Sequence, residues 1–174
     1  MGEIKSTLDI VLEKTRHLQQ TDEERQRQES ERMTGRLNGL LQKYVDREVS
    51  AEQFVAECNA LAEGSDDEIS RLLSLIILGR LDIDQDNAAF LQLLDHVGEG
   101  EHARTVCETA EKELEYLCAR RMMALEELLR SRGIWGTAVK PNIQCDVSWC
   151  NGREELRKKM HRELGKEKAR IQKG

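Results

Sequence analysis

The apolar residues of the chain recur at helical spacing over most of its length. Near the N-terminus they follow a four-three spacing, which predicts an amphipathic helix. The residues of this first seam are Ile4, Leu8 and Val11. Between Glu101 and Arg132 the same spacing continues without Gly or Pro, and this segment is the longest predicted helix. Its seam includes Leu114, Leu117 and Leu128.

These patterns predict an all-α fold, a helical bundle with long antiparallel, coiled-coil-like helices. Residues 19–32 contain no aliphatic side chain, and two interpretations stay open. The segment is one solvated helix, or it breaks and restarts at Thr21, where Glu24 completes a capping box. Gly133 ends the long helix. The expected organisation is a helical bundle over 1–132, a loop over 133–150 and a basic C-terminal helix over 151–174.

The length of the helix predicted over 101–132 points to self-association. At 1.5 Å per residue such a helix is about 48 Å long. This length exceeds the diameter of a 20.0 kDa globule built around short helices. The outer heptads therefore need a partner surface, and we expect a dimer or a higher homo-oligomer that uses the two apolar seams.

The predicted loop over 133–150 is a second candidate for an interaction surface. It holds both tryptophans of the chain, Trp135 and Trp149, and its one proline, Pro141. Loops placed on rigid helices often carry binding residues. Two interpretations stay open: the tryptophans bind a partner, or they plug the open end of the bundle.

Composition narrows the function classes. Charged residues make up 34% of the chain and aromatic residues only 3%, which argues against a β-sandwich or barrel. No run of about 18 apolar residues is present, so we expect neither a transmembrane helix nor a membrane partner. Five cysteines without a signal-peptide pattern indicate reduced thiols in a cytoplasm.

The net charge of −6 is unevenly distributed. Residues 151–174 carry nine Lys and Arg against four Glu, whereas the preceding residues are strongly acidic. The basic positions of interest are Arg153, Arg157, Lys158, Arg162, Lys166 and Arg170. Two interpretations stay open: this segment binds the phosphates of a nucleic acid or the ribosome, or it docks on acidic groups of the protein itself.

Candidate chemistry is sparse. Cys145 and Cys150 are separated by four residues, which suits one half of a metal site or two thiols packed in a loop. The chain has no second cysteine pair at such spacing. It also has no nucleophile elbow, phosphate-binding loop or dinucleotide fingerprint. We therefore expect no catalytic residue, no cofactor and no enzymatic activity.

Two resemblances to known families add to this picture. The segment 40–61, with a helix start from Ser50 to Phe54 between two apolar helices, resembles the short C-terminal oligomerisation (SHOCT) hairpin. That resemblance implies oligomerisation or partner binding. The whole chain resembles small bacterial helical proteins of a domain of unknown function, through its start at residues 1–8 and the segment 136–142. This second resemblance favours a bacterial cytoplasm.

The leading hypothesis is a non-enzymatic helical scaffold protein that acts through self-association and binding of a protein partner. One alternative is a regulatory protein that binds nucleic acid or the ribosome through the basic C-terminal helix. The other is a metal- or thiol-dependent protein that uses Cys145 and Cys150.

Overall fold

A computed structural model describes residues 21–61, 66–98 and 100–173. This part of the chain is helical and contains no strand, which confirms the all-α prediction. In chain order the helices are α1 (Asp22–Val45), α2 (Ala51–Leu61), α3 (Asp66–Arg80), α4 (Ala88–Val97), α5 (Gly100–Ser131) and α6 (Val147–Lys173), with a short 3-10 helix at Ile143–Cys145. Among the described residues, no helix combines the length and the apolar character that a membrane span requires.

The chain divides into two compact units, Met1–Leu61 and Ala62–Gly174. This division differs from the single bundle expected over 1–132. Periodicity identifies the buried face of a helix, but it does not say which helix covers that face. The long helix α5 packs on α6, which the sequence pattern had set apart as a separate C-terminal helix.

The first unit contains α1, which begins at a reciprocal cap. The Glu24 backbone N–H donates to Thr21 Oγ1 at 3.2 Å, and the Thr21 N–H donates to Glu24 Oε2 at 3.1 Å. The helix thus begins at Asp22, as the interpretation of a restart at Thr21 expects. The predicted N-terminal seam of Ile4, Leu8 and Val11 lies outside the described residues.

A helical hairpin of α1 and α2 occupies the segment that resembles the SHOCT hairpin. Ser50 and Gln53 cap α2 with the same reciprocal pair of hydrogen bonds, at 3.2 and 3.0 Å. Near the turn, the ring centroids of Tyr44 and Phe54 are 5.5 Å apart. The most deeply buried side chains of this unit are Leu37, Leu41 and Phe54.

The second unit is built on an antiparallel pair of α5 and α6. Arg121 contacts Asp146 just before α6, and Glu113 contacts Lys159 further along α6, so the two helices run in opposite directions. Helix α3 packs on α4 and α6, and α4 packs on α5. The largest fully buried apolar side chains of this unit are Ile77, Leu78, Leu81, Leu93, Leu94, Cys107 and Leu164.

Helix α6 begins earlier than the sequence pattern indicated. The prediction placed 133–150 in a loop, whereas the helix begins at Val147 and contains both Trp149 and Cys150. The cause is a cap at Asp146, whose carboxylate accepts the Trp149 backbone N–H at 2.6 Å. Of the segment 133–150, only the part before Val147 lies outside α6, and it includes the 3-10 turn.

The thiols differ sharply in exposure, which predicts their order of alkylation. Burial is the main cause that raises the pKa of Cys58 and that of Cys107 to about 11, with nearby glutamates adding to the shift. Cys145 and Cys150 are exposed. Because the thiolate is the nucleophile, iodoacetamide at mildly alkaline pH should modify Cys145 and Cys150 first, as peptide mass spectrometry would show. Rapid native-state modification of Cys107 would contradict this packing.

Candidate interaction surface

The far end of the α5–α6 pair extends past the start of α6. Arg121 donates from Nε and Nη2 to the two carboxylate oxygens of Asp146, at 3.0 and 2.8 Å. This bidentate pair fixes the start of α6 opposite Arg121. Residues 122–131 of α5 therefore continue beyond that point for about 15 Å, at 1.5 Å per residue. The connection over 132–146 accompanies this extension.

Two large side chains are exposed on the outer face of α5, Tyr116 just before this extension and Met123 inside it. Tyr116 is 70% exposed and Met123 is 71% exposed. Met123 follows Tyr116 by seven residues, and Arg130 follows Met123 by seven more, so the three side chains share one face of α5. A shallow groove runs along this face from Tyr116 to Arg130.

The connection adds the exposed tryptophan to the same region. Gly133 ends α5 in the left-handed conformation, with φ of 76°, and the Ile134 N–H donates to the Leu129 carbonyl at 2.9 Å. The chain then presents Trp135, which is 78% exposed. A cleft at this turn shares Glu126 and Arg130 with the groove on α5. We call this continuous region the distal surface, and its residues are Tyr116, Arg120, Met123, Glu126, Glu127, Arg130, Ile134 and Trp135.

The structure separates the two tryptophans by environment. Trp149 is only 5% exposed and forms part of the core of the second unit. Trp135 does not plug the bundle, in contrast to the second interpretation of the loop. Pro141 is half-buried in the connection. Trp149 is therefore a core residue, whereas Trp135 is a residue of the distal surface.

The predicted seam on the long helix is partly packed within the chain. Leu114 and Leu117 are half-buried, and a Cβ at Gly152 of α6 would lie 2.8 Å from Leu117 Cδ2. Leu117 therefore packs against α6 of the same chain, and the expectation that this seam also faces a second subunit stays a prediction. Leu128 lies past the start of α6 and is 46% exposed.

The basic C-terminal helix forms ion pairs with acidic groups of its own unit. Arg153 Nε donates to Asp84 Oδ1 at 2.7 Å, and Arg157 also pairs with Asp84. Lys159 Nζ donates to Glu113 Oε1 at 2.5 Å. Within α6 itself, further pairs join Lys158 to Glu155, Lys166 to Glu163, and Arg170 to Glu167. Arg162, also singled out in the tail, is exposed. The hydrogen bond from Lys166 lowers the pKa of Glu163, and the charge of Arg162 adds to that shift.

The loop between α3 and α4 places the acidic partners of these arginines. The buried Asn87 side chain donates to the Asp82 carbonyl at 2.8 Å and accepts the Asp82 N–H at 3.2 Å. The Asp82 carboxylate in turn accepts the Asp84 N–H at 3.0 Å. Local hydrogen bonds therefore hold both carboxylates on the side of the loop that meets α6.

Cys145 and Cys150 are exposed thiols, and each forms a local hydrogen bond. Asn142 Nδ2 donates to Cys145 Sγ at 3.3 Å, and Cys150 Sγ donates to the Gln144 carbonyl at 3.5 Å. Across residues 21–61, 66–98 and 100–173, no group of three or more His, Cys, Asp and Glu is arranged to hold a metal ion.

A cavity of about 160 Å³ lies between α5 and α6. Thr105 and Thr109 line it, and their hydroxyls donate to the carbonyls of Glu101 and Thr105 at 3.0 and 2.7 Å. A hydroxyl that donates to its own helix backbone has no base to activate it as a nucleophile. The residues lining the cavity therefore offer packing contacts and an ion pair, Lys159 with Glu113.

The cap at Asp146 predicts a dependence of stability on acid. The Arg121 hydrogen bonds, helped by the Trp149 and Ser148 backbone N–H groups, hold the pKa of Asp146 below its usual value. A carboxyl whose pKa is lower in the folded state stabilises the fold above its unfolded pKa, and this contribution is lost as pH falls through the folded pKa. Asp146→Asn should therefore be less stable than the wild type at neutral pH, and the difference should close in acid.

Urea unfolding followed by circular dichroism at a series of pH values measures this difference. Glu155→Gln, an exposed carboxyl on α6, is the control and should match the wild type throughout. A deficit of Asp146→Asn that stays constant from neutral pH into strong acid would contradict the role of Asp146.

Sequence reasoning missed the outer face of α5. The spacing of Tyr116, Met123 and Arg130 was visible, but only two of these three residues are apolar. The four-three seam that contains Leu117 is much stronger, and it corresponds to the face that α6 covers. The weaker signal marks the side of the helix that the unit leaves exposed.

No protein-family model matches the chain, and no curated protein or solved structure matches it significantly. The resemblance of residues 40–61 to the SHOCT hairpin therefore stays a prediction from those residues.

Proposed function

We propose that the chain is a non-enzymatic, self-associating scaffold protein of a bacterial cytoplasm, and that it binds a protein partner through the distal surface. The observation that carries this proposal is the exposure of large side chains at one end of the second unit. Trp135, Met123 and Tyr116 are each at least 70% exposed. Large exposed side chains gathered in one region and rimmed by charged residues commonly mark binding sites.

The chemistry of the distal surface suits a protein partner. Aromatic residues, Met and Arg are enriched at protein interfaces, and Trp, Tyr and Arg supply most of the residues that dominate binding energy. Trp135 and Tyr116 give large rigid contact areas, while Arg130 lies between them on the shared edge of the groove and the cleft.

The alternative of nucleic-acid binding has less support from the charges. Arg153, Arg157 and Lys159 of the basic helix already contact carboxylates of the same unit. Phosphate binding would require these ion pairs to open. The metal- or thiol-dependent alternative rests on two exposed cysteines, without a cluster of ligands around them in the part of the chain that the structure describes.

Affinity purification of tagged protein from native cells tests the proposal. Wild type, Trp135→Ser and a control, Val147→Ser, are purified side by side with washes at low salt and at about 1 M salt, which screens surface charges. Val147 is 71% exposed but lines neither the groove on α5 nor the cleft at the turn.

We expect one stoichiometric protein that survives high salt with the wild type and with Val147→Ser, and is lost with Trp135→Ser. Nucleic acid or ribosomal proteins that leave at high salt, with no effect of Trp135→Ser, would favour the basic helix instead. Identical partners for all three proteins would contradict a role for the distal surface.

A further inference from the structure

The exposed stripe on α5 is complementary to itself in charge. Arg120 lies three residues before Met123, and Glu126 and Glu127 lie three and four residues after it. Tyr116 lies seven residues before Met123, and Arg130 lies seven residues after it. All of these side chains are exposed and line one groove. Each side chain thus has a complement at a similar distance on the other side of Met123.

We propose that two copies of the chain pair along this stripe, antiparallel, about a two-fold axis at Met123. The inference rests on the proposed function, since it names a second copy as one occupant of the distal surface. A two-fold axis brings a residue before Met123 opposite the residue equally far after it in the partner. Arg120 of one copy then faces Glu126 and Glu127 of the other, and this contact occurs twice.

The aromatic and small residues of the stripe fit the same arrangement. Tyr116 of one copy meets Arg130 of the other, and an arginine over a tyrosine ring is a favourable cation–π contact. Ala119 and Ala124 flank Met123 and are exposed. Small side chains beside the axis let two helices approach closely around the methionines.

The charges also specify the direction of pairing. If the two helices ran parallel in register, Arg120 would face Arg120 and Glu127 would face Glu127. Like charges placed in contact disfavour that arrangement. The stripe therefore selects the antiparallel pair, and it does so with residues that the intramolecular packing of α5 on α6 leaves exposed.

Charge reversal with mixing tests this pairing. The first variant is Arg120→Glu, and the second combines Glu126→Lys with Glu127→Lys. Each variant alone places like charges opposite each other at both contacts. An equimolar mixture restores opposite charges at both contacts, because the glutamate introduced by the first variant meets the two lysines introduced by the second. At the other contact, native Arg120 meets native Glu126 and Glu127. Lys158→Glu on α6 is the control, with the same charge change as Arg120→Glu.

Sedimentation velocity over a wide concentration range measures association. We expect the wild type and Lys158→Glu to form dimers. In each charge-reversed variant the dimer dissociation constant should rise roughly tenfold, because two surface ion pairs are replaced by like-charge contacts. The mixture should return to wild-type association. Equal melting temperatures would exclude misfolding as the cause.

A wild type that stays monomeric, or variants that associate like the wild type, would overturn the proposal, as would a mixture no tighter than its components. A monomeric wild type that still retains its partner through Trp135 would overturn the pairing and the self-association, and it would leave partner binding through the distal surface standing. If Trp135→Ser instead retained the partner as well as the wild type does, the proposed function would be overturned.

Discussion

Trp149→Ala is expected to destabilise the second unit by about 3–5 kcal/mol, the usual cost of emptying a buried tryptophan site. Trp149 is 5% exposed and lies in the first turn of α6. Its backbone N–H also donates to the Asp146 cap, which pairs with Arg121 on α5. The lost side chain would leave a cavity where α6 begins to pack on α5.

The same substitution at Trp135 is the matched control. Trp135 is 78% exposed, and changes at exposed positions usually alter stability by no more than about 0.5 kcal/mol. Hydrogen exchange by mass spectrometry in a urea series measures the unfolding free energy of α5 and α6 apart from α1 and α2. Equal losses at the two tryptophans would show that their assigned environments are wrong.

Gly100→Ala is the second change expected to lower the stability of the second unit strongly, because α4 and α5 meet closely at this residue. Gly100 is buried, and a Cβ there would lie 2.8 Å from the Asp95 backbone nitrogen and 3.0 Å from its Cα. Backbone atoms cannot rotate away as a flexible side chain can. Overpacking of this kind costs about 1–3 kcal/mol. It should also disturb the ion pair between Asp95 and Arg104.

Gly165→Ala makes the same chemical change as Gly100→Ala, but we expect it to raise the stability of the second unit. Gly165 lies inside α6, and apart from its chain neighbours and the adjacent helix backbone no atom would lie within 4 Å of an added Cβ. Alanine loses less backbone entropy than glycine on helix formation, so the free energy of unfolding of this variant should rise by about 0.5–1 kcal/mol. Thermal unfolding of both variants checks the contrast. A stabilised Gly100→Ala would contradict the close contact of α4 with α5.

The helices could be predicted from the sequence because their signals are local. The predicted long helix over 101–132 differs from α5 by one residue at each end, since an apolar spacing and a terminal glycine define it. The start of α6 could not be found in this way. Its cap is Asp146, and the tryptophan and cysteine that follow resemble loop residues when their packing is unknown.

The candidate site was only partly predictable. Trp135 was singled out and is exposed on the distal surface, but the seam containing Leu117 was assigned to a second subunit. Periodicity shows that a face is buried without showing what buries it. The opposite face of α5 drew no attention, because Tyr116 and Met123 stand among charged residues. Only the packed unit shows that this face is left uncovered.

Site-specific photocrosslinking in native cells tests the distal surface most directly. A photoreactive phenylalanine analogue replaces Trp135 in one variant and Val147 in the other, both of them exposed positions of the second unit. Our account predicts discrete crosslinked protein species from position 135 and none from position 147. An absence of adducts at position 135, or the same adducts at both positions, would contradict the distal surface as the site of interaction.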